Sequence, residues 1–112
     1  MERISGDSLR GHLETMALAA LERGGAHGFE IWRRLEEAGC GALRLKEGSL
    51  YPALYRLELD GAISASWGVS DNNRKAKYYE ITRRGRKLIA EQQVTWERLS
   101  AAVDRVLARE PR

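Results

Sequence analysis

The stretch from Glu47 to Gly61, EGSLYPALYRLELDG, decides the fold that we predict for this chain. Three leucines are spaced by four and three residues and therefore share one face of a helix: Leu50, Leu54 and Leu57. Pro52 is compatible with the first turn, where its missing N–H has no intrahelical partner to lose, so the helix is expected to begin between residues 46 and 49. Gly61 is expected to end it.

The opposite side of this helix carries hydroxyls, aromatic rings and a guanidinium, with no carboxylate before Glu58. Such groups suit base edges and phosphates, so the sequence predicts a DNA recognition helix. An ordinary amphipathic helix is the alternative that this stretch leaves open. The candidate DNA contacts are Lys46, Ser49, Tyr51, Pro52, Tyr55 and Arg56.

Two shorter helices are predicted upstream. Asp7 or Ser8 can cap the first, which ends at Gly24, and the second runs from near Gly28 to Ala38. In the connection that follows, Leu43 and Leu45 are compatible with a short strand. Three helices with a glycine-containing turn before the third indicate a helix-turn-helix.

A β-hairpin is predicted after the third helix. Apolar and small residues alternate from Ile63 to Gly68, residues 77–81 are rich in aromatic and β-branched residues, and the turn-forming sequence SDNN lies between them. We predict phosphate contacts at its basic tip, although the cations could instead protect an edge strand from aggregation. The candidate contacts are Asn73, Arg74, Lys75 and Lys77.

The last helix is predicted from a Thr82 cap to about Ala108, roughly 40 Å long. A mostly apolar seam alternates at spacings of three and four, which is typical of helix-on-helix packing: Ile89, Gln92, Trp96, Leu99, Val103 and Val106. Because its outer half has nothing left in its own chain to pack on, we expect it to meet a second subunit. The candidate interface residues are Ile89, Trp96, Leu99, Val103 and Val106.

Composition limits the function classes. The 112-residue chain has a formal net charge of +3, and seven basic against two acidic residues between Asp71 and Lys87 give that segment +5. A single cysteine excludes an internal disulfide, and no zinc-ligand spacing occurs. We expect no cofactor, no metal, no signal peptide, no membrane segment and no enzymatic site, and a reducing cytoplasm as the location.

Three segments together resemble the PadR family of bacterial transcriptional regulators in its short form: GAHGFEI at 25–31, GSLYPAL at 48–54 followed by RLE and Gly61, and KYYEIT at 77–82 followed by Gly85. The resemblance implies a winged helix-turn-helix and usually a homodimeric repressor, which in some members responds to a small-molecule effector. Dimerisation through the first and last helices adds Leu9 and Leu13 to the candidate interface. Phe29 replaces a usual tyrosine, and Ala76 interrupts a wing that is often more basic.

Several residues have both a structural and a functional interpretation. His27 at a helix start favours a local capping contact over a ligand role. Cys40 is a redox-sensor candidate without a partner cysteine. Trp32 and Trp67 are interpreted as packing residues. Trp96 is interpreted as interface packing or, alternatively, as one wall of an effector pocket that takes a planar aromatic molecule between two subunits.

We therefore predict a mainly α fold with a small β-hairpin, in which residues 1–81 form a winged helix-turn-helix and residues 82–112 a long C-terminal dimerisation helix. The predicted function is a homodimeric, sequence-specific DNA-binding regulator. It is expected to repress transcription from a double-stranded operator with an inverted repeat and to be released by a small-molecule effector. The competing hypothesis is a winged-helix module that binds protein and not DNA.

Overall fold

The computed structural model describes residues 12–39, 45–69 and 71–108. This part of the chain is mainly helical with a small antiparallel sheet, as the sequence predicts. Its elements in chain order are α1 (Leu13–Leu21), β1 (Ala26–His27), α2 (Gly28–Ala38), α3 (Glu47–Leu59), β2 (Ile63–Val69), β3 (Lys75–Ile81) and α4 (Arg83–Val106).

One hydrophobic core joins the three short helices to the base of the hairpin and to the first half of α4. The predicted inner face of α3 is confirmed, because its three leucines are fully buried. Trp32 packs against this core, and its indole N–H donates to the carbonyl of Leu45 at 2.7 Å. The largest fully buried side chains are Leu18, Leu21, Ile31, Leu50, Leu54, Leu57, Ile63 and Ile89.

The sheet contains a strand that the sequence did not predict. The strand order is β1-β3-β2, and the two-residue β1 pairs Ala26 with Tyr79 and His27 with Tyr78. Two residues are too short to show an alternating pattern, so only the pairing reveals them. Because α2 follows β1 directly, this pairing holds the first turn of α2 beside the hairpin.

Capping contacts fix where α2 and α4 begin. The backbone N–H of Glu30 donates to Nδ1 of His27 at 3.2 Å, which confirms the predicted capping role of this histidine. Thr82 caps α4 as predicted, accepting from the N–H of Gly85 at 3.1 Å. Gly85 is required there, because an added Cβ would lie 2.1 Å from the carbonyl oxygen of Ala62.

The position of Pro52 corrects one sequence expectation. The third helix begins at Glu47, within the predicted range, and Pro52 is therefore its sixth residue and lies in the second turn. The N–H that proline lacks would have donated to the carbonyl of Gly48, so one helical hydrogen bond is missing on the side of α3 away from the core. Gly61 lies beyond the helix with φ +81°, as expected of a terminating glycine.

Other boundaries differ slightly from the predictions. The third strand begins at Lys75, two residues before the predicted start, and α4 ends at Val106. Leu45 belongs to no strand, while Leu9, Cys40 and Leu43 lie outside the described residues. No helix within the described ranges is long and apolar enough to cross a membrane.

Candidate nucleic-acid interface

The surface of α3 opposite its buried leucines is a narrow, largely apolar strip. Successive helical residues are rotated by about 100°, so spacings of four, three and four residues follow one line along the helix. Tyr55 and Leu59 on this line are 61% and 70% exposed. We call this line the outer ridge; it consists of Gly48, Pro52, Tyr55 and Leu59. Leu59 was not among the predicted contacts.

One flank of the outer ridge faces α1 and carries Ser49 and Arg56. Arg56 is not free, because its Nε lies 2.6 Å from Oε2 of Glu14. Both side chains are partly exposed, and ion pairs of this kind contribute little to stability. The predicted guanidinium contact is therefore engaged within the chain, by a carboxylate 42 residues away.

The other flank faces α2 and the hairpin. Tyr51 packs its ring over Gly28, where an added Cβ would lie 2.6 Å from the tyrosine Cε1. Glu58 accepts a hydrogen bond from Nζ of Lys77 at 3.1 Å, and this bond raises the pKa of Lys77 above its ordinary value. Burial raises the pKa of the neighbouring Tyr79. Two predicted contacts, Tyr51 and Lys77, thus join α3 to its neighbours.

The hairpin, or wing, carries its cations beside an exposed aromatic ring. The turn includes Asn73 at φ 59°, as its residue type suggested. Lys75 lies with Nζ 5.1 Å from the centre of the Trp67 ring, a cation–π distance. The interpretation of Trp67 as a packing residue is wrong, because its side chain is 64% exposed. Its strand continues the face of Ile63, but the core ends before reaching it.

An open groove separates the wing from the start of α2. The walls bring together Tyr51 and the three predicted wing cations, which sequence spacing alone could not show. One wall carries His27, Phe29, Glu30, Arg33 and Tyr51, and the other carries Trp67, Arg74, Lys75, Lys77 and Tyr79. Lys46, the N-cap residue of α3, is exposed.

The basic segment predicted from sequence forms two separate groups. Strand β3 lies between the wing tip and the start of α4, so the groups are roughly 20 Å apart along the sheet. In the second group, Nη2 of Arg84 donates a hydrogen bond to Oδ1 of Asp60 at 3.0 Å. This hydrogen bond raises the pKa of Arg84. That group comprises Arg83, Arg84, Arg86 and Lys87. The wing therefore holds fewer cations than the local charge suggested.

The structure narrows the candidate dimer interface. Leu13 and Ile89 are buried in the core of the single chain, so their assignment to an interface is withdrawn. The outer half of α4 retains an exposed apolar stripe of Trp96, Leu99, Val103 and Val106. Trp96 meets His12 edge to face, with ring centres 5.3 Å apart. The hydroxyl of Thr15 donates a hydrogen bond to Oε1 of Gln92 at 2.8 Å, and this contact holds this part of α4 against α1.

Proteins of similar sequence share this architecture. Residues 17–91 match the family described as the Transcriptional regulator PadR-like family. A transcriptional regulator from Clostridium thermocellum is 30% identical with a TM-score of 0.79, covering 91% of this chain and 96% of the other.

Two further solved structures are similar to this chain in sequence and in fold. A PadR-like transcriptional regulator from Bacillus cereus is 30% identical, with a TM-score of 0.77 and coverage of 94% and 100%. A PadR-like transcription factor from Bacteroides fragilis is 32% identical, with a TM-score of 0.72 and coverage of 89% and 95%. The family is one of transcriptional regulators and not of enzymes, in agreement with the sequence prediction. This chain belongs to the PadR-like family of transcriptional regulators.

Proposed function

We propose that the protein is a sequence-specific, DNA-binding transcriptional repressor that acts in the cytoplasm as a homodimer. The observation that carries this proposal is the exposed outer ridge of α3 lying beside a groove lined with wing cations. Tyr55 and Leu59 lie outside the core of the single chain and follow each other on the outer ridge, which supports a role of this ridge as a contact surface. In a winged helix, base edges would meet α3 and phosphates would meet the wing.

Dimerisation is proposed through the exposed stripe on α4, with residues 82–112 serving as the dimerisation element. The helix spans 24 residues, which corresponds to about 36 Å, and the whole fold extends 52 Å along its longest axis. An isologous contact would bury the same stripe on both protomers. Two copies of α3 would then face an inverted-repeat operator whose half-sites lie about 34–36 Å apart, or a multiple of that distance.

An effector site is proposed at Trp96. The indole is exposed in the single chain and lies within the stripe, so a two-fold axis nearby would bring two such rings together. A gap between them would accept a planar aromatic molecule. The molecule would release DNA by binding more tightly to a dimer whose two α3 helices have the wrong separation for the operator.

Binding to the upstream region of the protein's own gene, measured by gel shift against unrelated DNA, tests the proposal. Specific retention at moderate salt is expected. Arg74→Ala and Lys75→Ala should weaken binding to both DNAs alike, and each should lower the salt slope by about one unit if it removes a phosphate contact.

Tyr55→Ala is the contrasting variant, because it should change sequence preference more than overall affinity. If wing variants changed the preference and Tyr55→Ala acted uniformly, the roles of the two elements would be reversed. Absence of DNA binding would favour a protein-binding module, for which the exposed Leu59 and Trp67 would supply apolar contacts.

A further inference from the structure

We infer that the recognition helix selects its operator mainly through the C5-methyl groups of thymines, contacted by Pro52, Tyr55 and Leu59, and not through guanines bound by arginine. This inference rests on the proposed DNA-binding function and adds the chemistry by which bases are distinguished. The geometry of α3 and of its two flanking ion pairs supports it.

The outer ridge of α3 is largely apolar. Its residues point directly away from the buried leucines, so they are the part of α3 that would enter a groove most deeply. Pro52 and Leu59 have apolar side chains, and Tyr55 adds a ring with a single hydroxyl. An added Cβ on Gly48 would have no neighbour within 4 Å, so its backbone can approach a base edge closely.

The charged groups of α3 lie on its flanks. Arg56 is the single cationic residue in the sequence of α3, and its Nε is engaged by Glu14 at 2.6 Å on the flank. Bidentate recognition of guanine needs two donors of one guanidinium aimed at the base. On the opposite flank, Oε1 of Glu58 forms an ion pair with Nζ of Lys77 at 3.1 Å. Both ion pairs direct charge sideways and leave the ridge apolar.

An apolar ridge can distinguish bases in the major groove by their methyl groups. Thymine presents a methyl group beside its O4 acceptor, whereas cytosine presents an amino donor and no methyl at that position. Removing one buried methyl group from such a contact should weaken binding about three- to fivefold. Two symmetric half-sites double the effect in free energy, so about nine- to twenty-fivefold is expected when both copies of a thymine are changed.

The experiment begins with selection of high-affinity duplexes from randomised DNA by the wild-type protein. Each thymine of the selected half-sites is then replaced by uracil, which removes the methyl group and keeps every hydrogen-bonding group. At least one symmetric thymine pair should show the expected loss in a competition assay. Uracil placed outside the half-sites is the control and should have no effect.

Leu59→Ala connects the effect to the ridge. The side chain is exposed, so the variant should fold normally, bind the thymine operator more weakly and lose sensitivity to uracil at one position. Replacing guanines by 7-deazaguanine, which lacks the N7 acceptor, tests the opposite mechanism. If deazaguanine substitutions are costly and uracil substitutions are silent, the inference is overturned while DNA binding stands. If no duplex is selected at all, the proposed function itself fails.

Discussion

A pair of valines on α4 provides a direct test of the proposed dimer. Val103 and Val94 are nine residues apart, which places them on opposite sides of the helix at about 100° per residue. Their exposure in the single chain is nearly equal, 43% and 46%. Val103 lies on the stripe with Trp96 and Leu99, whereas Val94 faces away from it. Val94→Asp is therefore a matched control for Val103→Asp.

The expected loss of dimer affinity follows from the exposed fraction of the Val103 side chain. Full burial of a valine contributes about 1.5–3 kcal/mol, so burying the remaining 43% contributes roughly 0.6–1.3 kcal/mol per protomer. Two copies in the dimer give roughly 1.3–2.6 kcal/mol, which corresponds to roughly 10- to 80-fold in affinity. Val103→Ala keeps the Cβ atom, so it should weaken dimerisation by no more than that range. An aspartate additionally brings an unpaired carboxylate into the interface, so Val103→Asp should weaken it at least about 1,000-fold.

Sedimentation equilibrium across a wide range of protein concentration measures this difference. Wild type and Val94→Asp should sediment at twice 12.6 kDa, and Val103→Asp at 12.6 kDa with its helical circular dichroism retained. A wild-type protein that is monomeric at tens of micromolar would refute the proposal. So would a Val103→Asp variant that dimerises normally, or equal dissociation of both valine variants.

Three further predictions concern other contacts. Gly85→Ala should lower the free energy of unfolding by at least about 2 kcal/mol, because the new Cβ would lie 2.1 Å from the backbone oxygen of Ala62. Gly28→Ala should lower it less, because the nearest atoms belong to the movable Tyr51 ring, and thermal melts would show this order. Glu58→Gln removes the carboxylate that pairs with Lys77, so DNA binding should tighten and its salt slope should rise by about one unit. Fluorescence anisotropy at several salt concentrations measures this slope. An unchanged slope would argue that Lys77 stays beside residue 58 when the protein is bound to DNA. Trp96→Ala should abolish any effector-induced quenching of tryptophan fluorescence and release of DNA while dimerisation persists, and a variant that still responds would exclude this pocket.

Much of the fold was predictable because its signals are local. The helical spacing of Leu50, Leu54 and Leu57 indicates a buried face without reference to the rest of the chain, and that face is fully buried. Thr82 and His27 are capping residues whose partners lie three residues away. The alternation from Ile63 indicated β2 for the same reason. Each of these features depends on a few neighbouring residues, and sequence reasoning is strongest over that distance.

The candidate site depended on contacts between residues far apart in sequence. Glu14 engages Arg56 and Glu58 engages Lys77, so two predicted DNA contacts are held on the flanks of α3 and the outer ridge is left apolar. Likewise, the two-residue β1 is defined only by its pairing with β3. The apolar and cationic residue types were visible in the sequence, but which cations remain available is set by carboxylates that only the packing of the helices and the wing brings within reach.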